Sequence, residues 1–341
     1  MEYVNKFIST ASVNYVNQAL TELRDIDGNL SIADNLGNGI IIIQPTMDRE
    51  EFNRRLVRLR PIFVRHINAV DFVVPVKADS EPESIAGYIS EYGDKLQKGE
   101  RLAVQIRKGK GDYQYGPIEY KKAIDSVLIE KYGVLPEIKD PERIISVFLN
   151  GESCYIGLSK AEDNLSNWSG GMMHYKKDDS DISRAKFKLM EAISVFDIDM
   201  SKLKSALDLG AAPGGWTSVL LEYGLWVTAV DTGDMDSRLD SYKHYEFLKT
   251  NVADLELDKG DYDILTSDIS WNPVNTARML CKSAQYLKQH GNAVVTVKLM
   301  SSKVRKTIRD VMAIYGEVFD ILGARQLFHN RDEITLYMKK R

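Results

Sequence analysis

Nowhere does the 341-residue sequence hold an apolar run long enough to span a bilayer. Its beginning lacks a signal-peptide run: Glu2 and Lys6 come early, and Ser, Thr and Asn follow. A membrane protein is not expected, and the reading is cytoplasmic. Cysteine is scarce. Cys154 and Cys281 stand far apart without metal-like spacing. That excludes a disulfide scaffold and a cysteine metal cluster, and both read as inert core thiols of a reducing compartment. An excess of positive charge is also missing: 45 basic residues against 49 acidic ones leave a net charge of −4. From residue 181 onward the two signs balance at 22 each. A nucleic-acid partner would have to be held by local patches, or by shape, stacking and 2′-hydroxyl contacts. What is present is an apolar fraction of 44%, ample for a core, on a length that suggests two or three domains.

Residues 1–68 read as strand, helix, strand, strand, helix, strand. Tyr3 to Ser9 is short and mixed apolar, and Ser12 to Leu23 has helical spacing. Leu30–Ala33 and Gly39–Ile43 flank a turn-rich link. Asp48 with Glu51 three residues on has the form of a capping box. Arg60 to Val64 reads as the returning strand. This order is the ferredoxin-like pattern.

Residues 70–165 form a second unit. Glu83 to Tyr92 reads as an amphipathic helix, Leu102 to Arg107 as a strand running into the basic loop Lys108-Gly109-Lys110-Gly111, and Ile118 to Tyr132 as a helix. Arg143–Leu149 and Glu152–Gly157 are strands joined by Asn150-Gly151, a strong hairpin signal. The order resembles a THUMP domain, an RNA-binding module of RNA-modifying enzymes. The resemblance implies that Arg107, Lys108 and Lys110 contact RNA phosphates; alone, such a charge run would simply face water. Residues 166–181 are polar, contain Ser169-Gly170-Gly171, and read as a linker.

From 182 to 341 strands and helices alternate. The strands fall at 206–209, 225–230, 247–250, 262–267, 292–298, 317–324 and 333–339. Alternation predicts an α/β, doubly wound, mainly parallel sheet with helices on both faces and ligands at the carboxyl ends of the strands. Ala206–Leu209 ends in the loop Gly210-Ala211-Ala212-Pro213-Gly214-Gly215, and a helix opens at Trp216. Strand, glycine loop and helix make a nucleotide-binding turn. The spacing differs from the dinucleotide fingerprint, which disfavours a pyrophosphate. Asp231 closes the next strand, where an acid suits the two ribose hydroxyls of an adenosine.

Asp208-Leu-Gly-Ala-Ala-Pro-Gly-Gly-Trp216 closely resembles the S-adenosyl-L-methionine motif of the FtsJ family of RNA 2′-O-ribose methyltransferases. The resemblance runs from about Ser183 to the C-terminus. It implies a Rossmann-like methyltransferase domain and a Lys-Asp-Lys-Glu tetrad, whose positions fall on Lys188, Asp268, Lys298 and Glu333. By resemblance Lys298 is the base and the other three orient it. The cofactor positions fall on Ser183, Gly210, Gly214, Gly215, Trp216, Asp231 and Asp268. The family usually has Asp after the third strand, against the adenine amino group. Here Asn251 stands there, with Asp254 as the fallback. The ending Ala324 to Tyr337 resembles members that methylate a cytidine ribose in large-subunit ribosomal RNA. A 23S rRNA or ribosomal-precursor substrate is therefore expected, with no DNA and no membrane. Trp271 and His329 are candidates for stacking a base, kept outside the site because a His beside a strand is more often structural.

A base N-methyltransferase of tRNA or rRNA is the nearest rival, but Asp268-Ile-Ser-Trp-Asn272-Pro273 lacks the Asn/Asp-Pro-Pro-aromatic motif. Cys281 is wrongly placed for a cytosine C5 nucleophile. A non-catalytic RNA- and cofactor-binding protein is the alternative from another class. The intact tetrad argues against it.

Overall fold

The computed structural model describes residues 4–300 and 303–341. Tyr3, expected to open the first strand, lies outside them. The chain divides into two compact units, Met1–Met172 and Met173–Arg341. No helix among the described residues is long and apolar enough to cross a membrane.

The first unit opens with β1 (Lys6–Thr10), α1 (Val16–Ile26), β2 (Ser31–Gly37), β3 (Ile40–Gln44), α2 (Arg49–Leu59) and β4 (His66–Val70). The sheet order β2-β3-β1-β4, antiparallel at each pairing, is that of a ferredoxin-like sheet. Ala19, Leu20, Leu23 and Ile26 form the buried stripe of α1. Asp48 caps α2 by accepting from the Glu51 N–H at 2.9 Å. The other half of the expected capping box is not made, because the Glu51 carboxylate turns to Arg54 and Arg55. The returning strand also lies later than expected. Arg60 ends α2 in the left-handed region at φ 43°, and 61–65 follow as a bend and irregular chain before β4 starts. A proline directly after a helix stop favours such a bend over an immediate strand.

A second sheet follows within the same unit: β5 (Phe72–Pro75), α3 (Pro82–Tyr88), β6 (Arg101–Lys108), α4 (Pro117–Val127), β7 (Leu135–Pro136), β8 (Arg143–Asn150) and β9 (Ser153–Lys160), in the order β5-β9-β8-β6-β7. The hairpin at Asn150-Gly151 forms, with Gly151 at φ 62°. The stretch 166–171 is no free linker. Gln105 Nε2 donates to the Asn167 carbonyl at 2.7 Å, and Thr10 Oγ1 donates to the Gly170 carbonyl at 2.9 Å. Asp71 is the single residue between β4 and β5, where the chain passes from one sheet to the other. Its buried carboxylate accepts from Arg49, from the Tyr92 hydroxyl at 2.6 Å and from the Leu158 N–H at 2.8 Å.

The second unit holds α5 (Lys186–Val195), β10 (Ser205–Leu209), α6 (Gly215–Glu222), β11 (Trp226–Asp231), β12 (Tyr245–Lys249), β13 (Tyr262–Ser267), α7 (Pro273–Ser283), β14 (Leu287–Lys298), α8 (Val304–Tyr315), β15 (Phe319–Arg325) and β16 (Glu333–Lys340). Its sheet runs β12-β11-β10-β13-β14-β16-β15. The five strands β10 to β14 pair in parallel, and β16 runs antiparallel between β14 and β15. Ala206, Leu207, Leu209, Ala229, Val230, Ile264 and Leu265 are buried, as strands covered on both faces require. The strand order turns back at β10/β13, the switch point where open sheets of this kind bind ligands.

Replacing the acceptor at the sheet junction tests the first unit. Asp71→Ala leaves the partly buried Arg49 charge without its carboxylate. It should lower the unfolding free energy of the first unit by about 3–5 kcal/mol in urea titrations, the cost of breaking a buried pair. A change under about 1 kcal/mol would show that the junction does not depend on it.

Candidate active site

The loop after β10 is shaped by its glycines. Gly210 and Gly214 take positive φ angles of 72° and 113°. A Cβ on Gly215 would stand 2.3 Å from the Ser183 hydroxyl oxygen, so Ser183 packs directly against the start of α6. The first N–H groups of α6 open toward this loop, as helix starts do. Trp216 is buried, and its indole N–H donates to the Ala185 carbonyl at 2.9 Å, tying α5 to α6. The indole thus braces the loop from within, leaving the backbone as its means of touching a ligand. Asp231 sits at the end of β11. Its two carboxylate oxygens accept from the Ala212 N–H at 2.9 Å and the Gly233 N–H at 2.7 Å. Each oxygen keeps a lone pair for a hydroxyl donor. A cradle too narrow for a Cβ, a helix start and a fixed carboxylate on the next strand fit the adenosine and amino-acid parts of S-adenosyl-L-methionine.

Asp208 lies beneath the loop, fully buried. Thr217 Oγ1 and Thr266 Oγ1 donate to its carboxylate at 2.7 and 2.8 Å. Burial pushes this carboxyl up to about 6, against the pull of the two hydroxyls. Asn251 follows β12 and is exposed. Its side-chain oxygen accepts from the Ala253 N–H at 2.9 Å, capping a short 3₁₀ turn. Asp254, at the end of that turn, is exposed.

The four tetrad positions come together at the carboxyl edge of the sheet. Lys188, in the first turn of α5, holds both oxygens of Asp268 at 3.1 Å and Glu333 Oε1 at 2.7 Å. Asp268 directly follows β13, and Thr296 Oγ1 of β14 donates to it at 2.8 Å. Lys298 ends β14 and is the register partner of Glu333, which opens β16. Its ammonium stands 4.0 Å from Glu333 Oε2 and 3.8 Å from Asp332 Oδ2. The two lysines differ in setting: the side chain of Lys188 is 16% exposed and that of Lys298 40%. Burial works against the Lys188 ammonium, yet Asp268 and Glu333 outweigh it and raise its pKa. Burial raises the Asp268 carboxyl, with Lys188 and Thr296 pulling it back.

Sequence reasoning missed three contributors. Asp332 reaches Lys298; its signal was its place next to Glu333. Thr296 supports Asp268, and the strand pattern alone hides such a hydroxyl. Glu191, one turn beyond Lys188, accepts from the Phe328 N–H at 2.7 Å, the His329 N–H at 2.9 Å and lies 2.8 Å from His329 Nδ1. His329 thus fastens the β15–β16 connection to α5 and packs with Tyr175 and Phe187. The two cysteines are remote from this chemistry in kind: burial pushes Cys154 up to about 12 and Cys281 up to about 11.

Residues 182–320 match the FtsJ-like methyltransferase family. Three curated relatives carry the name "Ribosomal RNA large subunit methyltransferase M". That of Cellvibrio japonicus (strain Ueda107) is 34% identical over 218 residues, 59% of this chain and 60% of that protein. That of Psychromonas ingrahamii is 32% identical over 206 residues, 56% of this chain and 55% of that protein. That of Citrobacter koseri is 25% identical over 335 residues, 93% of this chain and 90% of that protein. The matched stretch therefore spans little more than half of the first two relatives and nearly all of the third.

The buried Asp208 makes a pH signature. An acid with a raised folded pKa keeps its proton longer in the folded state. Stability is therefore lost as pH rises from the ordinary 3.8 through about 6. Asp208→Asn removes that loss. Between about pH 4 and pH 7 the variant should gain about 3 kcal/mol relative to the unaltered protein in denaturant titrations. Parallel pH profiles for the two would contradict it.

Proposed function

We propose that this chain is an S-adenosyl-L-methionine-dependent RNA 2′-O-ribose methyltransferase, with a cytidine ribose of 23S rRNA as its target and the cytoplasm as its site of action. The observation that carries this reading is the joint approach of Lys188, Asp268, Lys298 and Glu333 at the edge of the sheet beside the glycine loop. The relatives named for large-subunit ribosomal RNA support the substrate.

In this reading Gly210, Gly214, Gly215 and the backbone of Trp216 hold the amino-acid end of the cofactor. Ser183 flanks it, and Asp231 accepts from the adenosine ribose. Asn251 accepts from the adenine amino group with its side-chain oxygen, which keeps a second lone pair beside the Ala253 cap; Asp254 is the alternative contact. When bound, S-adenosyl-L-methionine supplies a methyl group on a sulfonium, a leaving group suited to in-line displacement. Lys298 takes the proton from the ribose 2′-hydroxyl. It is the more exposed lysine and so the one able to meet a substrate. Lys188, buried between two carboxylates, stays charged and acts as the fixed cation that aligns Asp268 and Glu333. Glu333 reaches both lysines and holds Lys298 once it is protonated.

The first unit, in the same reading, holds RNA and selects the target. Its contact surface is narrower than the run Arg107-Lys108-Lys110 suggests. Arg107 lies over the Phe148 ring, and burial pushes its guanidinium down to about 10. Lys108 Nζ donates to the Tyr115 carbonyl at 3.2 Å. Lys110 is exposed, which makes it the principal phosphate contact of the three. The three-part division at 68–70 and 166–181 belongs to this proposal as well, with the first two parts acting as one body.

Two substitutions separate the roles. Lys298→Ala should lower the single-turnover rate on ribosomal RNA by roughly 10²–10⁴, the worth of a positioned base, with cofactor affinity unchanged in calorimetry. Lys298→Arg should not restore it, because guanidinium stays protonated. Asp231→Ala should instead weaken cofactor binding by roughly 1.5–3 kcal/mol, the value of a charge-assisted hydrogen bond. Near-normal single-turnover chemistry in Lys298→Ala would sink the assignment of the base.

A further inference from the structure

The connection between β12 and β13 has little regular structure. Residues 250–261 form one 3₁₀ turn, Val252–Asp254, where alternating units of such sheets usually carry a helix. One flank of α7 is therefore left without a helical neighbour. A groove of about 310 Å³ opens there, with Leu255, Trp271, Asn275, Arg278, Met279 and Lys282 among its lining residues.

The side chains on that flank have a consistent chemistry. Asn275, Arg278, Met279 and Lys282 stand at helical spacing i, i+3, i+4 and i+7, on one face of α7. Arg278 and Lys282 are exposed, and among the described residues neither has a carboxylate within ion-pair distance. Elsewhere the chain fills the same spacing with opposite charges, as in Lys121–Asp125 of α4 and Lys306–Asp310 of α8. Two cations four residues apart weaken a helix unless an anion meets them. The acids of the adjoining connection, Asp254, Glu256, Asp258 and Asp261, do not line the groove. At the rim stands Trp271, 59% exposed, an uncommon degree for an indole. The apolar floor comes from buried Leu255 and half-buried Met279. Leu255 is held in place by the Tyr286 hydroxyl, which donates to its carbonyl.

We propose that this groove binds single-stranded RNA next to the methylated nucleotide, with Trp271 stacking a base and Arg278 and Lys282 meeting phosphates. The inference rests on the RNA-methyltransferase reading above and extends it to a specific surface. A flat exposed indole accepts any base by its π-face, and paired cations follow the backbone, the combination used by proteins that grip single strands. Trp271 lies three residues past Asp268. A chain that short reaches at most about 11 Å, so a base on Trp271 belongs to a close neighbour of the nucleotide whose ribose is at the tetrad. Neutral or basic ligands would leave Arg278 and Lys282 unmatched.

The test compares the full-length protein with Trp271→Ala, Trp271→Phe and the double reversal Arg278→Glu/Lys282→Glu. Binding of a short fluorescein-labelled single-stranded RNA and of transcribed large-subunit rRNA is read by anisotropy across salt concentrations. Binding of S-adenosyl-L-methionine is read by calorimetry, and ribose methylation of the same transcript is followed. Trp271→Ala should weaken RNA binding roughly 5–100-fold, with most of the loss restored in Trp271→Phe. The double reversal should weaken it further and lower the salt slope by about two. Cofactor affinity should stay the same in all of them. Unchanged RNA affinity and salt slope in both the Ala and the reversal variants overturn the inference while leaving the methyltransferase reading intact. A parallel fall in cofactor affinity overturns it too, by placing the groove in the cofactor pocket. An unaltered protein that binds the RNA but transfers no methyl to it removes the methyltransferase reading, with the binding comparison still deciding the groove.

Discussion

The grip of two carboxylates on the Lys188 ammonium is the interaction on which the second unit's site depends. Asp268 and Glu333 arrive from β13 and β16, and Lys188 from α5, so one cation joins three elements. Each of these charges is largely buried, and a buried charge without its partner is expensive. The sheet topology makes the meeting possible. Asp268 and Lys298 stand at the carboxyl ends of parallel strands. Because β16 is antiparallel, its first residue, Glu333, reaches the same edge, directly beside Lys298. A parallel strand in that place would have carried its first residue to the opposite edge.

The same short segment, 183–188, links the cofactor cradle to the tetrad. Ser183 packs on Gly215, the Ala185 carbonyl accepts from Trp216, and Lys188 closes the carboxylate pair. Beyond it, Glu191 holds the connection that delivers Asp332 and Glu333. A shift of α5 would therefore disturb the glycine loop and the four charged groups together. The motif residue Asp208 stands under both, buried at the cost of an upward-shifted carboxyl and steadied by two threonines.

The second unit was largely legible in the sequence. Its strands are short apolar runs with glycine or an acid at their ends, and buried parallel strands show that pattern plainly. The glycine loop, Asp268 and Lys298 stand at strand ends, and the resemblance to the FtsJ family supplied the tetrad as a set, Lys188 and Glu333 included. Side-chain partnerships were less visible. Nothing in the run Arg107-Lys108-Lys110 signals that Phe148 and the Tyr115 carbonyl engage two of its charges. The side-chain oxygen of Asn251 also caps a local 3₁₀ turn, a partnership common for Asn at helix starts that the sequence pattern does not show. In the first unit, Arg60-Pro61 read as part of a strand, although a left-handed helix stop before proline sets a bend there. Asp71 was overlooked because a junction between two sheets leaves no periodic mark.

The central claim is that the assembled tetrad methylates a ribose oxygen. Its most direct measurement uses ribosomal RNA from cells lacking this protein, incubated with the purified full-length chain and S-adenosyl-L-methionine, then mapped for 2′-O-methylation. The account predicts one new ribose methyl group in the large-subunit RNA. A methyl group found on a base, or no transfer to any RNA while the cofactor binds, would contradict it.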